Sequence, residues 1–221
     1  MTTATQVRVP VGDAALDGDL VVPDAAAGIV LFAHGSGSSR HSRRNRMVAE
    51  KLNGRGFGTL LVDLLTAEEE EVDRVTAEPR FDIDLLAGRL IGAIDWLREE
   101  PTTSSLGIGL FGASTGAAGA LVAAAERPGE VGAVVSRGGR PDLAGDALPR
   151  VRAPTLLIVG GRDPVVLELN RQAQEHLHTE NRLVVVPGAT HLFEEPGALE
   201  VVSSLAAEWF SRYLRSEGDG R

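Results

Sequence analysis

The stretch of sequence that decides the fold runs from residue 106 to residue 126 and reads LGIGLFGASTGAAGALVAAAE. It starts as an apolar run typical of a buried strand and ends as a helix of small residues. Between them stands Gly112-Ala113-Ser114-Thr115-Gly116, a G-x-S-x-G motif. A serine on a sharp strand-to-helix turn is lifted clear of the sheet, and its neighbours two residues away approach other backbone closely. The stretch therefore predicts Ser114 as a nucleophile on such a turn, with a glycine-rich turn without chemistry as the alternative.

Apolar runs and helix-like stretches alternate on both sides of this motif. Six nearly continuous apolar runs predict strands of a parallel sheet that is buried on both faces, at residues 29–33, 59–62, 106–111, 131–135, 155–159 and 183–186. Helices are predicted at residues 43–52, 83–98, 115–126, 165–178 and 198–214. Segments 5–9 and 19–22 predict an antiparallel hairpin at one edge. The chain is therefore predicted to be an α/β protein, a three-layer α/β/α sandwich with a mostly parallel sheet of about eight strands.

Length and composition exclude several classes of protein. The chain has 221 residues, no cysteine, 43% hydrophobic residues and a net charge of −9. We expect one domain, residues 1–221, with a frayed tail at 216–221. The missing cysteines exclude disulfide scaffolds and zinc–thiolate sites, and the acidic balance argues against nucleic-acid binding. No metal or organic cofactor, membrane span or signal peptide is expected, so the cytoplasm is the predicted location.

The stretch from residue 64 to residue 80, LLTAEEEEVDRVTAEPR, has the least determined structure. Its run of four glutamates at residues 68–71 predicts a solvated loop or a short helix. A mobile flap beside the site is the functional alternative for the same segment.

A serine nucleophile needs a base, and the base needs an acid that orients it. Asp163 follows the strand at 155–159 in TLLIVGGRDP, and His191 follows the next strand in LVVVPGATHLF. The carboxyl ends of parallel strands meet at one edge of a sheet, where ligands bind. In proteins with a G-x-S-x-G turn of this kind, the acid and then the histidine follow the serine along the chain. The sequence therefore predicts a triad of Ser114, Asp163 and His191, with a hydrogen bond of about 3 Å between the serine and the imidazole.

Both partners of the serine have alternatives. Asp163 precedes Pro164 and is suited to cap a helix N-terminus, and Asp142 is a second candidate for the acid. Chain order and the position after a strand favour His191 as the base. Four other histidines compete with it, at His34 after a strand, His41 in a basic loop, and His176 and His178 in a polar predicted helix.

Donors for a developing oxyanion are predicted on two loops. The backbone N–H of Thr115, next to the nucleophile, is one, and that of Ser36, in the loop His34-Gly35-Ser36-Gly37, is the other. A flexible turn or a phosphate-binding loop is the alternative for the second stretch, but GSGSSR departs from the nucleotide-binding fingerprints. Arg40 in the same loop and Arg137 after another strand are candidates to bind an anionic substrate group, or to form structural ion pairs.

The H-G loop, the G-x-S-x-G turn, the strand-end GGRD and the late GATH together resemble the α/β-hydrolase superfamily, from about Val7 to Leu214. The short chain without an inserted cap resembles dienelactone hydrolase-like proteins, and HGSGSSRHSRRNR, GASTGAAGALVAAAERP and SRGGRPDLAG resemble a small bacterial branch of them. The resemblance implies Ser114, Asp163 and His191 as the triad. Dienelactone hydrolases proper use a cysteine nucleophile, so Ser114 favours ester chemistry in general. Members of the branch also occur fused to phosphoribosyltransferase domains.

The sequence thus predicts a serine hydrolase that cleaves a small soluble carboxylic ester, thioester or lactone. Three other functions remain open: an acyltransferase or perhydrolase on the same triad, a binding module with a vestigial triad, and a domain associated with a phosphoribosyltransferase. The expected partner is a small-molecule ester, with neither nucleic acid nor membrane. A homodimer and an association with a phosphoribosyltransferase are the protein contacts left open.

Overall fold

A mostly parallel sheet forms the centre of the computed structural model, which describes residues 3–214. The predicted tail at 216–221 lies outside the described residues. Within them the sheet has eight strands in the order β1-β2-β4-β3-β5-β6-β7-β8, and only the β1–β2 and β2–β4 pairs are antiparallel. The strands are β1 Thr5–Val11, β2 Ala14–Val21, β3 Ile29–Ala33, β4 Gly58–Val62, β5 Ile108–Ala113, β6 Val131–Arg137, β7 Thr155–Gly160 and β8 Asn181–Val186.

Helices cover both faces of the sheet and complete the predicted three-layer α/β sandwich. They are α1 Arg43–Asn53, α2 Ala67–Thr76, α3 Ile83–Glu99, α4 Thr115–Glu126, α5 Pro164–His176 and α6 Ala198–Tyr213. Side chains of α3 and α4 fill one core with the sheet, and those of α1 and α6 fill the other. Strands β3, β4, β5 and β7 are buried along their whole length, which explains their nearly continuous apolar sequences. Within residues 3–214 we find no helix with the length and apolarity needed to span a bilayer.

Several element bounds differ from the sequence prediction, and the glutamate-rich stretch takes the helical one of its two predicted alternatives. Strand β2 begins at Ala14 rather than residue 19, and helix α5 ends at His176, so His178 lies beyond it. The glutamate-rich stretch is the helix α2, followed by a 3-10 turn at Pro79–Phe81. A capping box starts α2: the Thr66 hydroxyl accepts a hydrogen bond from the Glu69 N–H at 3.2 Å, and the Glu69 carboxylate accepts one from the Thr66 N–H at 2.8 Å.

Candidate active site

Ser114 lies on the turn between β5 and α4 with backbone angles φ 51° and ψ −123°, a left-handed conformation that is costly for a residue with a side chain. The turn is possible because its flanking residues are glycines. A Cβ at Gly112 would overlap the Cα of Ala117, and a Cβ at Gly116 would overlap the backbone oxygen of His34. The G-x-S-x-G spacing thus reflects a steric requirement, and it places Ser114 at the carboxyl edge of the sheet.

The backbone of Ser114 is held on both sides by the last residue of β6 and the segment that follows it. Its N–H donates to the Arg137 carbonyl at 3.3 Å, and its carbonyl accepts from the Arg140 N–H at 3.0 Å. This segment is tied in turn to α5, because the buried Asn170 side chain donates to the Gly139 carbonyl at 3.0 Å. A Cβ at Gly139 would overlap the Ser136 hydroxyl, so the conformation of the segment that holds Ser114 also depends on a glycine.

Asp163 and His191 meet at the same edge. Asp163 occupies the N-cap position of α5, followed by Pro164, but its side chain makes no capping hydrogen bond. Its carboxylate accepts from His191 Nδ1 at 2.7 Å instead. A carboxylate can only accept, so Nδ1 carries the proton and Nε2 has the lone pair that a general base needs.

The loop that carries His191, residues 187–197, is anchored at several points. Its Ala189 carbonyl accepts from the Arg162 N–H at 2.9 Å, and the Thr190 N–H donates to the Glu195 carboxylate at 3.1 Å. Hydrogen bonding, first from the Thr190 side chain and then from the backbone N–H groups of Glu195 and Thr190, lowers the pKa of Glu195 below its usual range. Phe193 is fully buried in a left-handed conformation with φ 56°. These contacts fix the loop, so the imidazole does not depend on Asp163 alone for its position.

Ser114 and His191 line one cavity of about 280 Å³, together with residues of the loop after β3 and with Arg137. The predicted hydrogen bond between the Ser114 hydroxyl and the imidazole is absent among the contacts of residues 3–214. Catalytic hydrogen bonds are often long in ligand-free sites and tighten when substrate binds. The structure therefore brings the three predicted residues to one edge and joins two of them directly.

The two predicted oxyanion residues contact each other. The Ser36 N–H donates to the Thr115 hydroxyl at 3.1 Å, and the two hydroxyl oxygens are 3.3 Å apart. The N–H of Thr115 stands at the first position of α4, where no carbonyl of the helix can reach it. The Thr115 N–H is therefore available as a donor, whereas the Ser36 N–H is occupied by a neutral acceptor.

The other histidines have structural contacts. His34 is 7% exposed, its Nε2 accepts from the Leu64 N–H at 3.0 Å, and its Nδ1 donates to the Gly35 carbonyl at 3.0 Å. Burial lowers the pKa of His34, a shift only partly opposed by the bond to Gly35 and by Asp63. Both ring nitrogens are thus used, and the neutral ring has no lone pair for substrate. His41 accepts from the Arg46 guanidinium at 2.7 Å, and His176 and His178 are exposed.

The two candidate arginines occupy different environments. Arg40 forms a very short ion pair with Asp63 and lies 3.8 Å from Asp19, and it is not among the residues that line the cavity at Ser114. Arg40 thus takes the alternative given for it, a structural ion pair, because neighbouring aspartates hold its guanidinium. Arg137 is buried and lines the cavity. Asp142, the second candidate acid, is held by a bidentate pair with Arg140 at 2.8 and 2.9 Å.

Comparison with known proteins adds three findings. The family model described as the dienelactone hydrolase family matches residues 16–214. The crystal structure of dienelactone hydrolase from Anabaena variabilis is 63% identical, covers 97% of this chain and 99% of that chain, and superposes with a TM-score of 0.95. Est1E from Butyrivibrio proteoclasticus shares the fold at 16% identity, with a TM-score of 0.78 over 94% of this chain and 98% of that chain.

Two relatives from Mycobacterium tuberculosis strains carry a different name. Each is named, provisionally, as a phosphoribosyl transferase and is 61% identical over 213 residues, which is 96% of this chain and 47% of the relative. This chain therefore spans about half the length of the curated relatives it matches.

Proposed function

We propose that this chain, which belongs to the dienelactone hydrolase family, is an ester hydrolase that works through a serine nucleophile on small carboxylic esters, thioesters or lactones. The observation that carries this proposal is the 2.7 Å bond from His191 Nδ1 to Asp163, which leaves Nε2 free beside Ser114 in one cavity. The cavity suits a small substrate, since its volume is about 280 Å³.

In the first step, the Ser114 hydroxyl attacks the acyl carbon and His191 Nε2 takes its proton. The Asp163 carboxylate stabilises the imidazolium that forms. The carbonyl oxygen becomes an oxyanion, which the N–H groups of Thr115 and Ser36 hold. To do so, the Ser36 N–H exchanges the Thr115 hydroxyl for a charged acceptor, which makes the stronger hydrogen bond.

In the second step, His191 returns the proton to the leaving alcohol or thiol, and an acyl group remains on Ser114. Water then attacks the acyl carbon while His191 takes its proton. The bond between the acyl carbon and the Ser114 oxygen breaks, His191 returns its proton to that oxygen, and the acid is released. All protons move through one imidazole nitrogen, so the proposal requires no further titrating group.

A fluorophosphonate probe tests the nucleophile directly. We expect the wild type to be labelled on Ser114 and the Ser114→Ala variant to remain unlabelled. Ser38→Ala is the matched control, because Ser38 lines the same cavity, and it should be labelled like the wild type. Equal labelling of wild type and Ser114→Ala would refute the assignment.

A second proposal concerns the longer Mycobacterium tuberculosis relatives and how activities are divided along their length. We propose that this chain corresponds to a hydrolase region and that phosphoribosyl transfer, in those relatives, belongs to their remaining length. A cytoplasmic location is part of the same proposal. The isolated chain should then hydrolyse p-nitrophenyl acetate at the same rate with and without phosphoribosyl pyrophosphate. Release of pyrophosphate by this chain alone would contradict the division.

A further inference from the structure

Arg137 is a buried cation without an anionic partner in the described part of the chain. Its residue is 6% exposed, and no carboxylate of residues 3–214 forms an ion pair with it. Its Nη2 donates to the Asn45 side chain at 3.1 Å, and its Nε is buried without a hydrogen bond. Among the described residues this guanidinium therefore has one neutral side-chain acceptor, and its Nε–H has none.

The groups around Arg137 add positive potential. Burial, and to a lesser extent the charge of the nearby Arg44, lowers the pKa of Arg137 to about 10, so Arg137 remains charged at neutral pH. Arg44 itself is paired with Glu194 at 2.9 Å. Helix α1 begins here, and its N-cap Ser42 and residues Arg44 and Asn45 line the same cavity. The positive end of the helix dipole thus lies beside the unpaired guanidinium.

A charge in this position is costly to the fold. Removing a guanidinium from water without a counter-ion is strongly unfavourable, and buried charges are normally paired. Arg40, in contrast, is surrounded by aspartates. The fold therefore keeps an unpaired cation in the wall of the cavity that contains Ser114.

We propose that Arg137 is a specificity-determining residue that binds an anionic group on the acyl part of the substrate. The inference rests on the proposed function, since it uses Ser114 to locate the acyl carbon. Both residues line one small cavity, so the anion and the ester carbonyl belong to one short molecule. A planar guanidinium binds the paired oxygens of a carboxylate or a phosphoryl group. The substrate class is thus a short ester whose acid part carries such a group.

Three methyl esters of similar shape test the proposal by acid release in a pH-stat. Monomethyl succinate carries a carboxylate, methyl 3-phosphonopropanoate carries a phosphonate, and methyl 4-methylpentanoate carries a neutral isopropyl group. We expect kcat/KM of the wild type to be about a hundredfold higher for the better anionic ester than for the neutral one. The preferred anion distinguishes a carboxylate from a phosphoryl source.

In Arg137→Met the ratio of anionic to neutral kcat/KM should fall to about one or below. In Arg137→Lys, which keeps the charge but loses the planar fork, the ratio should fall about tenfold. Arg150→Met is the control, because Arg150 lies outside the cavity in an exposed pair with Glu126, and it should keep the wild-type ratio. A wild type that prefers the neutral ester, or an unchanged ratio in both Arg137 variants, would overturn the proposal.

Binding separates this proposal from the one about Ser114. Calorimetry with succinate and with methylphosphonate on Ser114→Ala measures the anion site without any turnover. Binding of either anion to Ser114→Ala, together with a wild type that cleaves none of the three esters, would support the anion site and refute the hydrolase. Binding of neither would refute the anion site even in an active enzyme.

Discussion

Two histidine-bearing loops lie at the same edge of the sheet, and they use their imidazoles in opposite ways. In the loop after β3, residues 34–42, both ring nitrogens of His34 bond to backbone and the ring is buried. In the loop after β8, residues 187–197, Nδ1 of His191 bonds to Asp163 and 38% of the side chain is exposed. The first histidine stabilises the loop that carries it, whereas the second is held by its loop and keeps one nitrogen free.

A histidine that acts as a general base needs an unbonded ring nitrogen, and of these two rings only that of His191 has one. Both histidines follow a strand and lie in a loop that contains glycine, so the local sequence does not distinguish His34 from His191. The hydrogen bonds of the rings separate them. Substitutions in the two loops should therefore affect different quantities, activity in one and stability in the other.

The largest effect is expected for His191→Ala. Losing the general base should lower kcat/KM for p-nitrophenyl acetate about a hundred-thousandfold, since the members of a triad act as a unit. The free energy of unfolding should change little, because the ring is partly exposed. His176→Ala, on an exposed histidine, is the control and should keep full activity. Residual activity within tenfold of the wild type would show that another residue acts as the base.

Asp163→Asn should lower kcat about ten-thousandfold. An amide can donate to Nδ1, which stabilises the wrong tautomer and leaves Nε2 protonated. The contrast is Asp142→Asn, which removes an acceptor of Arg140 and should change kcat by less than about threefold. If the two variants lost activity equally, the acid would not be Asp163 alone.

His34→Ala should cost about 3 kcal/mol of unfolding free energy. The variant leaves the Leu64 N–H without its acceptor and opens a cavity beside it. Urea denaturation followed by circular dichroism measures the change. An unaltered midpoint would mean that the loop after β3 does not depend on this ring.

Thr115→Val should lower kcat about tenfold. The valine keeps the shape of the side chain but removes the acceptor that holds the Ser36 N–H near the site. Thr115→Ser keeps the hydroxyl and should stay within about twofold of the wild type. A valine variant faster than the wild type would show that the threonine hydroxyl competes with the oxyanion instead of placing its donor.

The smallest effect concerns pH. The pKa of His34 is lowered in the fold, so the unfolded chain binds a proton at higher pH than the folded chain does. The neutral, hydrogen-bonded His34 ring contributes fully to the free energy of unfolding above its unfolded-state pKa of about 6.5. The contribution is lost as the pH falls below that value. The urea midpoint should therefore fall more steeply between pH 7 and 5 in the wild type than in His34→Gln. Parallel curves would contradict the assignment of this slope to His34.

Periodicity and turn chemistry predicted the sheet, the helices on both faces and the position of Ser114. These features depend on local patterns that the 3.6-residue and two-residue periods reveal. The early start of β2 escaped prediction because Gly18 and the aspartates beside it break the apolar pattern. A Cβ at Gly18 would lie 3.1 Å from the side chains of Leu60 and Val7. These side chains therefore leave little room for a residue larger than glycine at this position in the strand.

Ion pairing and loop hydrogen bonds were not predictable. Arg40 is neutralised by Asp63, which follows a strand 23 residues away, and no periodicity links the two. The bond between Ser36 and Thr115 spans 79 residues. Such contacts depend on which side chains meet once the sheet has formed, so the sequence could list both arginines as candidates but could not tell them apart.

Helix α5 carries Asp163 at its start and Asn170 two turns later, and Asn170 tethers the segment that clasps Ser114. A displacement of this helix therefore moves Asp163 together with the segment that holds the Ser114 backbone. We therefore expect the distance between Asp163 and Ser114 to change little in such motions. Heating should disorder the periphery of the fold before it separates these two residues.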